Sequence, residues 1–354
     1  MPGVTIYDVA RVARVSPATV SRVLNHSTLV RDQTRQRVWE TIERLGYEPP
    51  NLGSPRGRAA RVSVVISDLL NPHLVRVVKG IQSVLGRAGV HMVLFDHDGR
   101  REDELSHLRS LRARGIDGLL LSSPHLESEH IVLIRQAGIP AVIVSADVTE
   151  SDIPSVSINN AEAACEVILH LHRLGHRRIA ILRGPMGDLT TSKERMQGCR
   201  LAYLSLGLSI SEEDVVEGDF TVEGGYEATL GLLDRPHPPT AIFAFSDTMA
   251  IGALMAARER GVAVPEALSI VGFDDIPWAS VVSPRLTSVA QPAFEIGQTA
   301  AELLLGLIGA ESADETPQAH KYTLPHQLIE RESCGPVSDR PRAGGRAAHD
   351  LEED

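Results

Sequence analysis

The sequence predicts an α/β protein built from a small helical head of helix-turn-helix type and a large core of two α/β subdomains with parallel sheets. Three observations carry this. The 354 residues bear a net charge of −11, yet Met1–Arg61 holds ten arginines against five acids, so a basic head of +5 precedes a body of −16. At Val62 the texture changes from short helical periodicity to β-branched runs alternating with amphipathic stretches. The alternating part is roughly 270 residues long, too much for one ordinary sheet, which argues for two subdomains with a cleft between them.

The head reads as three helices. Thr5 caps a first one, with Ile6, Val9, Ala10 and Ala13 on one face and Asp8 as the acidic partner in its first turn. Ser16 caps a second, which Pro17 starts and which runs through Ala18–Asn25. A third spans Asp32 to Leu45, with Val38, Ile42 and Leu45 inward and Gly46 as its stop. The stretch from Glu48 to Arg58, rich in Pro, Gly and Arg, is a linker.

In the body the apolar runs are Val62–Ile66, Met92–Phe95, Gly118–Leu121, Ala141–Val144, Val156–Ile158, Ile179–Leu182, Ala241–Phe245 and Ser269–Phe273. Helical stretches separate them, often ending in glycine (Gly89, Gly115, Gly138, Gly175, Gly207, Gly261), the pattern of right-handed crossovers. Residues 335–354 offer only Val337 and Leu351 as sizeable apolar side chains and read as a disordered tail.

Composition excludes several classes. With 43% apolar and 23% charged residues the chain folds rather than staying disordered. Three cysteines without metal spacing fit a reducing compartment, and no signal peptide or 18-residue apolar run is present; the expectation is a cytoplasmic protein without membrane contact. His170, His172 and His176 diverge around a helix and a turn, so no metal is expected, nor any cofactor. G-x-S-x-G, P-loop and G-x-G-x-x-G patterns are missing, which argues against an enzyme. Asp96-His97-Asp98 reads as ordinary loop polarity after a strand.

The second helix carries the head's chemistry. Val20, Val23 and Leu24 point inward, leaving Ala18, Ser21, Arg22 and Asn25 on the opposite face. That face suits a major groove: hydroxyls and amide for phosphates, a guanidinium for guanine. Val4-Thr-Ile-Tyr-Asp-Val-Ala10 and Val15-Ser-Pro-Ala-Thr-Val-Ser-Arg-Val-Leu-Asn25 resemble the DNA-binding head of the lactose-repressor (LacI/GalR) family, and Thr34-Arg35, Val38 and Leu45-Gly-Tyr-Glu-Pro49 extend the match. The resemblance implies that Ala18 and Arg22 face base edges beside Pro17, and that Ser16, Thr19, Ser21 and Asn25 hold phosphates. Two places depart from the family. Arg31 stands where the third helix usually has a Ser or Thr cap. Gly53-Ser-Pro-Arg56 replaces the family's hinge helix, whose Leu wedges into the minor groove. Three readings stay open there: Leu52 as the wedge, Arg56, Arg58 and Arg61 as an extended minor-groove arm, or a plain tether.

The resemblance runs on to about Ser333, through Asn71-Pro72, Gly138-Ile-Pro140, Leu174-Gly-His-Arg-Arg-Ile-Ala180, Ser246-Asp-Thr-Met-Ala250 and Val271-Gly-Phe-Asp-Asp-Ile-Pro277. It implies a core similar to periplasmic sugar-binding proteins, with three chain crossings and one ligand in the cleft. The expected divisions are a head at 1–49, a hinge linker at 50–61, a first core subdomain at 62–161 with 291–323, a second at 162–290 with 324–333, and a tail at 334–354. Asp274, Asp247 and Arg195 follow strand ends, where ligands of parallel sheets lie. By resemblance Arg195 and Asp274 are the firmest effector contacts. Ser246 and Asp247 come next, followed by His73, Leu74, Phe220 and Gln291. For Asp247 a helix cap or a buried supporting role is the competing reading. Family members that bind flat bases stack them on aromatics at the places of His73 and Leu74, so a sugar is favoured here, its apolar face on Phe220 or Trp278. Asn159-Asn160 and Ser145 stand where the family often has aspartates. The implied function is a transcriptional repressor that binds double-stranded operator DNA as a homodimer and is released by a sugar. The alternative is the same architecture with an effector that strengthens operator binding.

Overall fold

The computed structural model describes residues 6–16, 19–20, 23, 32–45, 59–146, 152–185, 187–188, 190–309 and 321–337. In the head, α1 (Ile6–Ala13) and α2 (Asp32–Leu45) pack together. Val9, Ala10, Ala13, Val20, Val23, Val38 and Ile42 form its buried core, all of them inward by the periodicity, and Leu45 packs against them partly buried.

The core holds two six-stranded sheets wired alike. The first has the order β11-β5-β4-β3-β1-β2, where β1 is Arg61–Ile66, β2 His91–Asp96, β3 Gly118–Leu121, β4 Ala141–Val144, β5 Ser155–Ile158 and β11 Lys321–Leu324. The second has the order β12-β10-β9-β8-β6-β7, where β6 is Ile179–Arg183, β7 Val215–Glu217, β8 Ala241–Ala244, β9 Ser269–Asp274, β10 Thr287–Ala290 and β12 Gln327–Ile329. All neighbours run parallel except β12, which pairs antiparallel with β10. The chain therefore passes between lobes after β5, after β10 and after β11.

Strands buried on both faces explain the unbroken apolar runs. In β1 the side chains of Val62, Val64 and Ile66 join one cluster while Val65 joins the other, and β3 and β4 alternate likewise. One face of the first sheet is covered by α3 (Pro72–Arg87) and α10 (Ala293–Gly309), which cross closely: a Cβ on Gly80 would lie 2.0 Å from the Phe294 carbonyl oxygen. The other face carries α4 (Arg101–Ser110) and α5 (Ser128–Ala137). The second sheet lies between the pair α6 (Asn160–Arg173) and α7 (Thr191–Ser205) and the pair α8 (Val222–Leu233) and α9 (Asp247–Glu259).

Two boundaries differ from expectation. The linker ends before Arg61: Ala60 is buried and accepts a hydrogen bond from His91 N at 2.9 Å, because the edge of the first sheet already claims it. The tail starts later than 334. Gly335 O lies 3.1 Å from the ring of His176, and Val337 N donates to Leu174 O at 2.9 Å. Among the described residues no helix is long and apolar enough to cross a membrane.

Candidate functional site

In the head, Ser16 caps its helix as expected. Its Oγ accepts from Thr19 N at 3.1 Å and lies 2.8 Å from Thr19 Oγ1. Pro17, Ala18, Ser21, Arg22, Asn25, Arg56 and Arg58 lie outside the described residues.

The carboxyl ends of both sheets meet at a cavity of about 440 Å³ between the lobes. From the first lobe come Ser67 and Asp68 after β1, Asp98 after β2, Ser122, Ser123 and His125 after β3, and Ser145 after β4; Asn71, His73 and Leu74 open α3 beside them. The second lobe contributes Asp188, Thr190, Thr191 and Arg195 around the start of α7, then Asp219 and Phe220 after β7, Asp274 ending β9, and Gln291 after β10. The lobes touch across this space. His125 Nδ1 lies 3.0 Å from Gly187 O and its Nε2 3.1 Å from Gly99 O, while Thr190 Oγ1 lies 3.3 Å from Ser123 O.

Arg195 is buried and held on every side. Its Nε donates to Asn160 Oδ1 at 3.0 Å, Nη1 donates to Phe245 O, and the guanidinium carbon sits 3.6 Å above the Phe273 ring. Nη2 lies 3.8 Å from Asp274 Oδ1, which also accepts from Gln291 Nε2 at 2.7 Å. Burial lowers the arginine's proton affinity, opposed first by Asp274. Across the cleft, burial likewise drives His73 below its ordinary value, with Asp274 pulling the other way, so the ring is neutral at pH 7. Its Nδ1 and the Ser145 hydroxyl are buried with no hydrogen-bond partner among the described residues.

The backbone is strained where it meets this cavity. Of seven described non-glycine residues with positive φ, five line it: Asp98 (51°), Ser145 (62°), Asp219 (54°), Phe220 (56°) and Asp274 (107°). Such conformations cost on the order of 1–3 kcal/mol each and persist where surrounding structure enforces them, typically at ligand sites.

Of the eight residues expected to contact an effector, His73, Leu74, Arg195, Phe220, Asp274 and Gln291 line the cavity, and Ser246 and Asp247 do not. Ser246 caps α9, its Oγ accepting from Met249 N at 3.2 Å. Asp247 is fully buried behind the wall, accepting from Ile276 N at 2.8 Å and Ser288 Oγ at 2.6 Å. Burial, then Asp274, raise its carboxyl well above the ordinary range. The supporting role therefore replaces the contact role, because both carboxyl oxygens of Asp247 are taken up behind the wall by Ile276 N and Ser288 Oγ. Trp278 is half exposed and away from the cavity, so of the two named aromatics only Phe220 lines it. Asn160 holds Arg195 rather than lining the cleft. Asp98, set aside as loop polarity, and Asp188 and Asp219 were not anticipated, although the places of Asp98 and Asp219 two residues beyond strand ends were a usable signal.

Residues 5–50 match bacterial regulatory proteins of the lacI family, and residues 168–334 match the periplasmic binding protein-like domain. Catabolite control protein A of Priestia megaterium is 36% identical over 334 residues, covering 93% of this chain and 99% of the relative. The chain belongs to the LacI family. Among solved structures, the transcriptional regulator CelR–cellobiose complex matches with a TM-score of 0.71 at 34% identity, over 93% of this chain and 99% of that one. The lac repressor dimer bound to operator and the anti-inducer ONPF matches with a TM-score of 0.71 at 28% identity, over 94% and 100%. This LacI-family chain is thus a DNA-binding transcriptional regulator, and its relatives are regulators rather than enzymes.

Proposed function

We propose that this regulator represses transcription as a homodimer on a palindromic operator and is released when a sugar binds in the inter-lobe cleft. The observation that carries the reading is the pairing of Arg195 and Asp274 on one wall, opposite the unpartnered His73 and Ser145 on the other. Carboxylate, guanidinium and neutral polar groups gathered around one cavity match adjacent hydroxyls, each of which both donates and accepts. The sugar named in the CelR complex and the operator and dimer named in the lac repressor structure support the same reading.

A single three-helix head is small, and two heads related by a two-fold axis read two half-sites. The proposed base contacts are Ala18 and Arg22 beside Pro17, with Ser16, Thr19, Ser21 and Asn25 on phosphates, and Arg56 and Arg58 following the linker path. Arg22→Ala should weaken operator binding by about 1–3 kcal/mol and relax one base position per half-site. Unchanged affinity for every operator variant would remove Arg22 from the groove. The test of the switch is operator affinity, measured by fluorescence anisotropy, for wild type and Asp274→Ala with and without sugar. Sugar should loosen wild-type binding and leave the variant's untouched. Tighter binding with sugar would make the molecule corepressor-dependent.

A further inference from the structure

Resting on the reading that the cleft holds a carbohydrate, we propose that the cleft is built for an unphosphorylated sugar and rejects phosphate esters, with Asp188 as the residue that enforces this. The formal charges lining the cavity are Asp68, Asp98, Asp188, Asp219 and Asp274 against the single guanidinium of Arg195; no lysine lines it among the described residues. That guanidinium donates from Nε to Asn160 and from Nη1 to the Phe245 carbonyl, and Asp274 stands 3.8 Å from Nη2, so its charge is already shared with a carboxylate of the chain. A phosphate dianion would meet uncompensated negative charge from both lobes.

The place where a phosphate would otherwise settle is occupied. The start of α7 opens onto the cavity through Thr190 and Thr191, and the free N–H groups of a helix start attract anions. Here the chain supplies its own anion. Asp188, itself buried, accepts from Thr190 N at 2.9 Å and Thr190 Oγ1 at 3.0 Å with one oxygen. The other accepts from Thr191 Oγ1 at 2.8 Å and Ser192 N at 2.9 Å. All four contacts are donors to a carboxylate, so the anion position of this helix is filled from within. The second helix start at the cavity, that of α3, is capped by Asn71, whose Oδ1 accepts from His73 N at 2.9 Å.

What is left for a ligand is the chemistry of a neutral polyol. Asp98 and Asp219 stand exposed on opposite lobes as hydroxyl acceptors, while His73 Nδ1 and Ser145 Oγ remain unpartnered inside. Phe220 provides an apolar face. Hydroxyl groups satisfy all of these without adding charge.

The test is calorimetric titration of the full chain with cellobiose and lactose, each beside its phosphate monoester, and with glucose 6-phosphate, followed by the same panel on Asp188→Asn and Asp219→Asn. Expected is binding of at least one neutral sugar, with every phosphate ester weaker by on the order of tenfold or more. Asp188→Asn should narrow that gap, and Asp219→Asn, at an exposed site that leaves the melting temperature unchanged, should narrow it less. A phosphate ester that bound wild type as tightly as its parent sugar would overturn this inference and leave the sugar-binding reading standing. Failure of every sugar in the panel, esterified or not, would sink the sugar-binding reading and this inference with it.

Discussion

The two lobes are the same scaffold given different chemical duties. Their sheets share one strand order and differ in a single direction, the sixth strand being parallel in the first and antiparallel in the second. Their contributions to the cleft diverge much further. The second lobe presents fixed charge: Arg195 and Asp274 are anchored by buried hydrogen bonds, and Asp247 braces the strand ends from behind. The first presents hydroxyls, imidazoles and the carboxylates of Asp68 and Asp98, with His73 against the cavity and His97 and His107 buried behind it. A buried guanidinium–carboxylate pair on one side and a wall of hydroxyls, imidazoles and carboxylates on the other let the two walls respond to different perturbations.

Breaking the ionic wall should have the largest effect. Arg195→Ala leaves Asp274 buried without its cation and strands Asn160 Oδ1, a loss on the order of 3 kcal/mol in folding stability with effector binding abolished. Thermal unfolding and calorimetry check both parts. Next comes the brace. Asp247→Ala orphans Ile276 N and Ser288 Oγ for a cost of about 2 kcal/mol. Asp247→Asn should be far milder, since an amide oxygen still accepts from Ile276 while its NH₂ donates to a turned Ser288 hydroxyl. Equal losses for the two variants would show that the carboxyl group itself, not its shape or the hydrogen bonds an amide can replace, is what Asp247 supplies.

Gly184→Ala sharpens the comparison through shape. Its Cβ would stand 2.1 Å from the Phe220 ring and 2.7 Å from Ser192 Oγ, so the ring must move into the cavity, at roughly 1–3 kcal/mol. Sugar affinity should fall while operator binding without sugar stays at the wild-type value. The smallest effect at pH 7 separates the lobes by proton. Burial holds His107 down to about 4, so the unfolded chain binds a proton between roughly pH 6.5 and 4 that the folded chain does not. Stability is therefore lost as pH falls through that window. Asp247 acts oppositely: its raised carboxyl keeps a proton that the unfolded chain releases, so its contribution declines as pH rises above the ordinary aspartate range. His107→Gln should flatten the acid limb of a melting-temperature profile, and Asp247→Asn should remove the opposing slope. An unaltered profile in either variant would deny that residue its share.

Much of this was readable in the chain. Strands buried on both faces write themselves as continuous apolar runs, and the β1, β3 and β4 runs fall within a residue of their strands. Four short strands escaped detection: β10, four residues inside the second sheet whose Thr287-Ser-Val-Ala290 is too polar to read as an apolar run, and three that lie at sheet edges. β7 is three residues at an edge, and β11 and β12, two residues apart, belong to different sheets, which no local pattern encodes. In the cleft, Arg195 and Asp274 were legible because strand ends aim them inward. Ser246 and Asp247 shared that signal and proved to serve the helix, since a cap and a contact look alike until the side chain's direction is known. Asp188 was invisible for the converse reason: nothing in Gly187-Asp-Leu-Thr190 announces that its carboxylate closes a helix start.

The late position of β11 bears on how the molecule is made. Ser155 pairs with Lys321, so the first lobe's sheet lacks its outer strand until the ribosome has passed β6 to β10 of the second lobe. At about 5–20 residues per second that interval is on the order of ten seconds. Through it, the outer edge of β5 stands open in the nascent polypeptide while α10, which covers β3, β4 and β5, is also still to come. Neither lobe is a stretch of chain that could be completed first and left behind. The cleft is assembled last, and the two walls that share a ligand are also bound to a common birth date.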